Sequence, residues 1–298
     1  MMIKPFLKWA GGKNKLLSQI SKFFPPELEN GGIKTYIEPF VGGGAIFLHL
    51  ASSYQTIERL FISDINPELY IAYKTIQNHV DELIALLSII ENQYLSLSEI
   101  RRKDYFYQLR RQFNQCRNNV DLHYQNHKWI ERTAQLIFLN KTCFNGLFRV
   151  NSKGEFNVPM GKYSQPKICN AENLCSVSLI LENTFIYQGD FSICEKFVDN
   201  HTFIYLDPPY KPISKTSNFT SYSQHKFDDL EQLRLRDFFK FIDSKNSKLL
   251  LSNSEFNNYS FFANAYSNYR IERIRANRTI NSNISKRNAV NEILVMNY

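Results

Sequence analysis

The chain has 298 residues, 43% hydrophobic and 21% charged, which is a globular composition long enough for one large domain or two smaller ones. No apolar run approaches the roughly 20 residues of a membrane span, the opening MMIKPFLKWAGGK lacks a signal-peptide stretch, and five cysteines without a CxxC pair read as reduced thiols, so the expectation is a cytoplasmic protein with no membrane partner and no metal site. The net charge of +8 is local: residues 101–167 hold 13 Lys or Arg against 4 Asp or Glu, which suggests a polyanion footprint or, more plainly, a solvated helical surface.

In chain order, FLKWAGGKNKLL comes first. Trp9 beside a small-residue turn and Lys13 suits the cover of an aromatic or cationic ligand group, although a buried tryptophan with a surface lysine would explain the same residues. TYIEPF (35–40) and RLFIS (59–63) then read as short buried strands, each followed by a helical pattern, which is βαβ grammar. Between them FVGGGAIF sets three glycines after a strand and before an apolar helix. Such a turn lets backbone approach a ligand, but it is neither GxGxxG nor a Walker loop, and a tight structural bend is the alternative. Asp64 stands at the carboxyl end of the second strand, where acids grip ribose hydroxyls, and it is also placed to cap the helix after Pro67.

From Pro67 to Asn140 the pattern is helical, as in HVDELIALLSIIENQYLSL and WIERTAQLIFLN. LFRVNSKGEFNVP (147–159) predicts a β-hairpin turning at NSKG. Strand grammar returns in TFIYQGDF, TFIYLDPPY, KLLLSNS and NEILVMNY. The expectation is a discontinuous α/β domain, Rossmann-like, formed by residues 1–75 and 170–298. Residues 76–169 make an inserted, mainly helical domain that carries the hairpin.

The sharpest motif is Asp207-Pro208-Pro209-Tyr210 at the end of a buried strand. Proline fixes φ, removes the amide hydrogens and biases Asp207 to extended backbone. An acid, a rigid Pro208 carbonyl and an aromatic face suit a planar amino group that donates two hydrogen bonds and stacks. A plain strand-ending turn is the alternative.

Taken in order, FLKWAGGK, EPFVGGGAIF, SDIN, NKTCFNGLFRVNSKGEFNVPMGKY, GDF and DPPY resemble the Dam-type DNA adenine methyltransferases of the D12 class, alpha group, from about Pro5 to the end of the chain. The resemblance implies S-adenosyl-L-methionine as cofactor, held by Trp9, Lys13, Glu38, Phe40, Gly42, Gly44, Asp64, Asp190, Phe191 and Asp207. It implies methylation of adenine N6 after the base is flipped out of double-stranded DNA, with Asp207 and the Pro208 carbonyl holding the amino group and Tyr210 stacked on the ring. Phe219 is a further stacking candidate or a core residue. Lys8, Phe144, Asn145, Leu147, Arg149, Asn151 and Pro159 fall on the family's recognition positions, Lys8 on a lysine that reaches the first base and Phe144 on an aromatic that enters the base stack. Arg149 there reads the guanine of GATC, unless it only clamps a phosphate. A cognate restriction endonuclease in the same system, without direct contact, fits the resemblance too. The sequence leaves open an RNA or protein amide methyltransferase, and a non-catalytic DNA-binding protein on a methyltransferase fold.

Overall fold

A computed structural model describes residues 3–119, 121–122, 124–210, 227–255, 259–277 and 289–298; Phe219 lies outside the described residues. After a short helix α1 (Leu17–Ile20), the chain alternates β1 (Thr35–Glu38), α2 (Ala45–Ser53), β2 (Arg59–Asp64) and α3 (Pro67–Asn78). Four consecutive positions in β2 are buried, Leu60, Phe61, Ile62 and Ser63, so it reads as a strand covered on both faces. Helix α3 starts where the sequence predicts, with Pro67 in its first turn, but Asn66 and not Asp64 caps it, accepting from the Glu68 amide at 2.9 Å.

The chain then leaves the sheet for α4 (Val80–Ser96), α5 (Glu99–Gln115) and α6 (His127–Thr142). It returns through α7 (Ala171–Leu181), β3 (Thr184–Gln188), β4 (Thr202–Leu206), α8 (Asp229–Asp243), β5 (Lys248–Ser254), α9 (Tyr259–Ala265), β6 (Arg270–Asn277) and β7 (Ala289–Met296). The sheet order is β3-β2-β1-β4-β5-β7-β6, with β1 to β5 paired in parallel and β7 antiparallel to both its neighbours, β5 and β6. Chain order reverses between β1 and β4, the switch point where α/β sheets open a crevice at their carboxyl edge. Four motifs lie along that edge: Glu38 ends β1, Asp64 ends β2, and Asp190 and Asp207 closely follow β3 and β4.

Residues from the helical excursion share one buried cluster with the sheet, so Phe106, Phe138 and Phe156 belong to the same core as Tyr36 and Phe203. A buried ion pair reinforces the junction: Arg132 of α6 donates through Nε to Glu68 Oε2 of α3 at 2.7 Å and through Nη2 to Oε1. The same guanidinium donates to Phe113 O at 2.9 Å and lies 4.1 Å from that ring's centroid, which adds α5 to the joint.

The hairpin forms with irregular arms. Val150 bridges Phe156 and Cys143 bridges Met160, but no regular strand develops. The reason is competition for the backbone: Asn114 of α5 accepts from the Phe156 amide (2.8 Å) and donates to its carbonyl (3.1 Å), and Arg110 donates to Val158 O (3.2 Å). The return arm therefore satisfies its main chain on α5 where a longer ladder would have used the opposite arm.

Candidate active site

Strand β4 alternates faces, with Phe203 and Tyr205 packed into one cluster and Ile204 and Leu206 into the other. Asp207 continues the Tyr205 side. Lys13, only 3% exposed, donates to both Asp207 oxygens at 2.6 Å, to Tyr210 Oη at 2.8 Å and to Gly11 O at 3.1 Å. Its ammonium lies 4.9 Å from the Tyr210 ring centroid. Ser252 Oγ donates to Asp207 Oδ1 at 3.0 Å and sits 2.8 Å from Tyr205 Oη, while Glu292 Oε2 is 3.9 Å from Lys13. Burial pulls the Lys13 ammonium down, but Asp207, Tyr205 and Glu292 prevail and hold it above the ordinary lysine range. Lys13 and Asp207 thus form a charge pair of a buried ammonium and a part-buried carboxylate. Gln232 of α8 steadies the same turn by donating to Pro209 O at 3.3 Å.

Glu38 lies deeper than its expected contact with a ligand implies. It is buried and accepts from Tyr36 Oη at 2.5 Å, and burial pushes its carboxyl well above the usual range against the pull of that bond. The glycine turn beside it is shaped as much by its neighbours as by any ligand. Gly44 has φ +74, and a Cβ there would stand 2.5 Å from Tyr73 Oη; one on Gly42 would stand 3.0 Å from Trp9 Cδ1. These contacts are those of a tight structural bend, the second of the two alternatives raised by the sequence.

Asp64 accepts from the Gly42 amide at 3.0 Å and the Asn66 amide at 2.9 Å. Burial pushes it up to about 6, with the backbone amides of Asn66, Gly42 and Ile65 opposing. Further along the edge, Phe40, Phe191 and Phe227 form an aromatic group with ring centroids 5.4 to 6.3 Å apart. Arg234 of α8 lies 4.1 Å above the Phe191 ring and donates to both Asp190 oxygens, at 2.8 and 2.5 Å. Burial works the other way, yet Arg234 and Ser192 hold the Asp190 carboxyl down to about 2. Rings, two acids of opposite pKa trend and a turn lacking Cβ atoms fit a ligand with an adenosine end.

The recognition candidates lie beside this edge. Lys8 is exposed, Phe144 is 54% exposed, and Asn145 is exposed with φ 59. Leu147 is half-buried against the core, and Pro159 O accepts from the Phe144 amide at 2.8 Å. Arg149 donates through Nε to Asn157 Oδ1 at 2.7 Å. Asn151 is engaged in the hairpin turn, its Oδ1 accepting from Lys153 and Glu155 amides at 3.0 and 2.9 Å. Trp9 joins the two sides: it packs against the glycine turn and stacks on Phe148 at 4.9 Å with 21° between the rings.

Several residues escaped the sequence reading. Tyr205 had a signal, since it lies two residues before Asp207 on one strand, and Ser252 lies in the polar end of KLLLSNS. Asn140 and Phe148 lie within the quoted NKTCFNGLFRVNSKGEFNVPMGKY stretch but had no role read for them, and Arg234 and Gln232 had no signal, because their partners are distant in the chain.

Comparison with known proteins places the sequence in a family. A family model described as D12 class N6 adenine-specific DNA methyltransferase matches residues 9–280. The type II methyltransferase M.MjaIII of Methanocaldococcus jannaschii is 48% identical over 299 residues, covering 100% of both chains. The type II methyltransferase M1.LlaDCHI of Lactococcus lactis subsp. cremoris is 37% identical over 99% of this chain and 96% of its own. The DNA adenine methylase of Escherichia coli (strain K12) is 30% identical over 98% and 95%.

Proposed function

The chain belongs to the D12 class of N6 adenine-specific DNA methyltransferases, and on that premise we propose that it methylates adenine N6 in double-stranded DNA, within GATC, with S-adenosyl-L-methionine as the donor. The two stretches 1–75 and 170–298 form the catalytic part, and 76–169 the target-recognition part. The relatives named DNA adenine methylases favour adenine as the target; GATC rests on the likeness of the NKTCFNGLFRVNSKGEFNVPMGKY stretch to the Dam-type recognition region, and a cognate restriction endonuclease in the same system, without direct contact, is part of the same proposal. DNA chemistry implies work in the cytoplasm.

The observation that carries the reading is the seat of Asp207. Lys13 and Ser252 fix its carboxylate at the switch point of the sheet, one strand away from the glycine turn and two from Asp64. S-adenosyl-L-methionine, when bound, supplies an electrophilic methyl group on a positively charged sulfur. Phe40, Phe191 and Asp190 would hold its adenine and Asp64 its ribose hydroxyls. Asp207 would accept one hydrogen of the target amino group and the Pro208 carbonyl the other, so the nitrogen lone pair is drawn out of conjugation and pointed at the methyl carbon. Tyr210 would stack on the flipped base. Phe144 would fill the gap in the duplex.

Arg149 favours base reading over phosphate clamping. Asn157 holds its Nε, which aims the terminal guanidinium nitrogens as a fork. The test is kcat/KM on GATC, AATC, CATC and TATC duplexes and on an RNA duplex of the same sequence. The wild type is expected to methylate the first far better than the rest. Arg149→Ala is expected to lose about 1–3 kcal/mol of discrimination at the first base. Equal losses on all four duplexes would reduce Arg149 to a phosphate contact, and methylation of the RNA alone would overturn the DNA reading.

A further inference from the structure

Residues 8 and 140 are 132 positions apart, yet one amide side chain binds both peptide groups of Lys8. Asn140 Oδ1 accepts from the Lys8 amide at 2.9 Å, and Nδ2 donates to the Lys8 carbonyl at 2.8 Å. The same Nδ2 donates to Gly146 O at 3.0 Å. Asn140 is 1% exposed; its bond to Gly146 O is buried and the two to Lys8 are part-buried. Its side chain stands where a neighbouring strand would stand, pairing with Lys8 as a ladder would, while also gripping the turn that begins at Phe144.

That turn is shaped to receive Lys8. Gly146 has φ +66, and a Cβ on it would meet Lys8 Cδ at 2.5 Å. Asn145 before it is also left-handed, at φ 59. The stem of Lys8 therefore crosses the turn at its tightest point, and its ammonium lies 5.8 Å from the Tyr163 ring centroid. The next residue, Trp9, stacks on Phe148 of the arm and packs against the glycine turn of the catalytic edge.

We propose that Asn140 is a specificity-positioning residue: it holds Lys8 and the Phe144–Arg149 arm in one register, so that both meet the same end of the DNA target. This rests on the DNA methylation reading above. Asn140 itself touches no base. Its loss lets Lys8 and the arm sample separate positions, and the enzyme then accepts wrong bases more readily than it loses right ones.

The test compares Asn140→Ser and Gly146→Ala with the wild type, using the ratio of kcat/KM on GATC to that on duplexes altered at the first base. A ratio of rates in one preparation does not depend on the fraction folded. Both variants are expected to lower it about tenfold, the size of one lost positioning interaction. Cofactor affinity measured without DNA should stay within threefold. In a Lys8→Ala background, Asn140→Ser should lower the ratio by less than it does in the wild type, since only its hold on the arm through Gly146 O is left to lose. A merely structural Asn140 predicts lower thermal stability with the ratio unchanged, and that result overturns the proposal. So does full additivity with Lys8→Ala. Failure of the underlying reading looks different, because wild-type protein would then prefer no duplex at all.

Discussion

Asp207 and Arg149 are the two side chains on which methylation and recognition are proposed to turn, and they are held in opposite ways. Asp207 takes its partners from three distant parts of the chain: Lys13 before β1, Ser252 on β5 and, through Lys13, Glu292 on β7. Arg149 takes its partner from eight residues away, and the return arm of its hairpin leans on α5 in place of a full ladder. The first site is rigid because a sheet and a charge pair over-determine it. The second is held by single side-chain bonds, an arrangement that can tune recognition without disturbing the fold. Substitutions at the sheet edge should therefore disturb stability and rate together, and substitutions in the arm should move selectivity alone.

The largest effect should come from Asp207→Ala. It removes the acceptor for the target amino group, which is expected to lower methyl transfer by about 10³-fold or more. It also strands the buried Lys13 ammonium, so stability should fall by about 3 kcal/mol. Adding Lys13→Met should restore most of that stability and none of the activity, as read by thermal unfolding alongside turnover. If Asp207→Ala unfolds at the wild-type temperature, the charge pair is not what fixes the edge.

Legibility in the sequence followed the same division. Strand periodicity and parallel grammar were enough to set Asp64 and Asp207 at the carboxyl ends of strands, and Asp190, which entered through the family resemblance, joins them because residues at strand ends align once the order of strands is known. The pairing of Lys13 with Asp207 was not legible, since it depends on how the amino-terminal segment folds back over that edge. Capping of α3 passed to Asn66 because the Asp64 carboxylate was already engaged by two backbone amides. In the arm, the turn chemistry of NSKG was readable, but the preference of Phe156 for Asn114 over a longer ladder was not, for α5 is brought to it only by the tertiary fold.

A second, smaller effect belongs to the sheet edge. Asp64 is raised from 3.8 to about 6 by burial, so its contribution to stability is fully present below about 3.8 and is lost as pH rises through 6. Ligand binding should run the other way, because ribose hydroxyls donate to a carboxylate and not to a carboxylic acid oxygen already protonated. Cofactor affinity is expected to fall about tenfold from pH 7 to pH 5. Asp64→Asn should bind weakly at both values with a flat profile. An unchanged wild-type affinity across that range would remove Asp64 from the ribose.

The smallest effect sharpens the contrast most, since it touches a single bond in the arm. Asn157→Ala deletes the acceptor for Arg149 Nε and nothing in the core, for Asn157 is only half-buried and its amide still donates to Arg149 O at 3.1 Å. A net hydrogen bond of this kind stabilises by about 1 kcal/mol, so discrimination at the first base should fall roughly fivefold. Arg149→Ala should cost more, because it removes the fork itself. Combining the two should add nothing to Arg149→Ala, since Asn157 acts only through the guanidinium. Thermal stability should change little in either single variant. A drop in stability as large as that of Asp207→Ala, with discrimination intact, would show that the arm is built into the fold as firmly as the sheet edge, and the contrast between the two regions would fail.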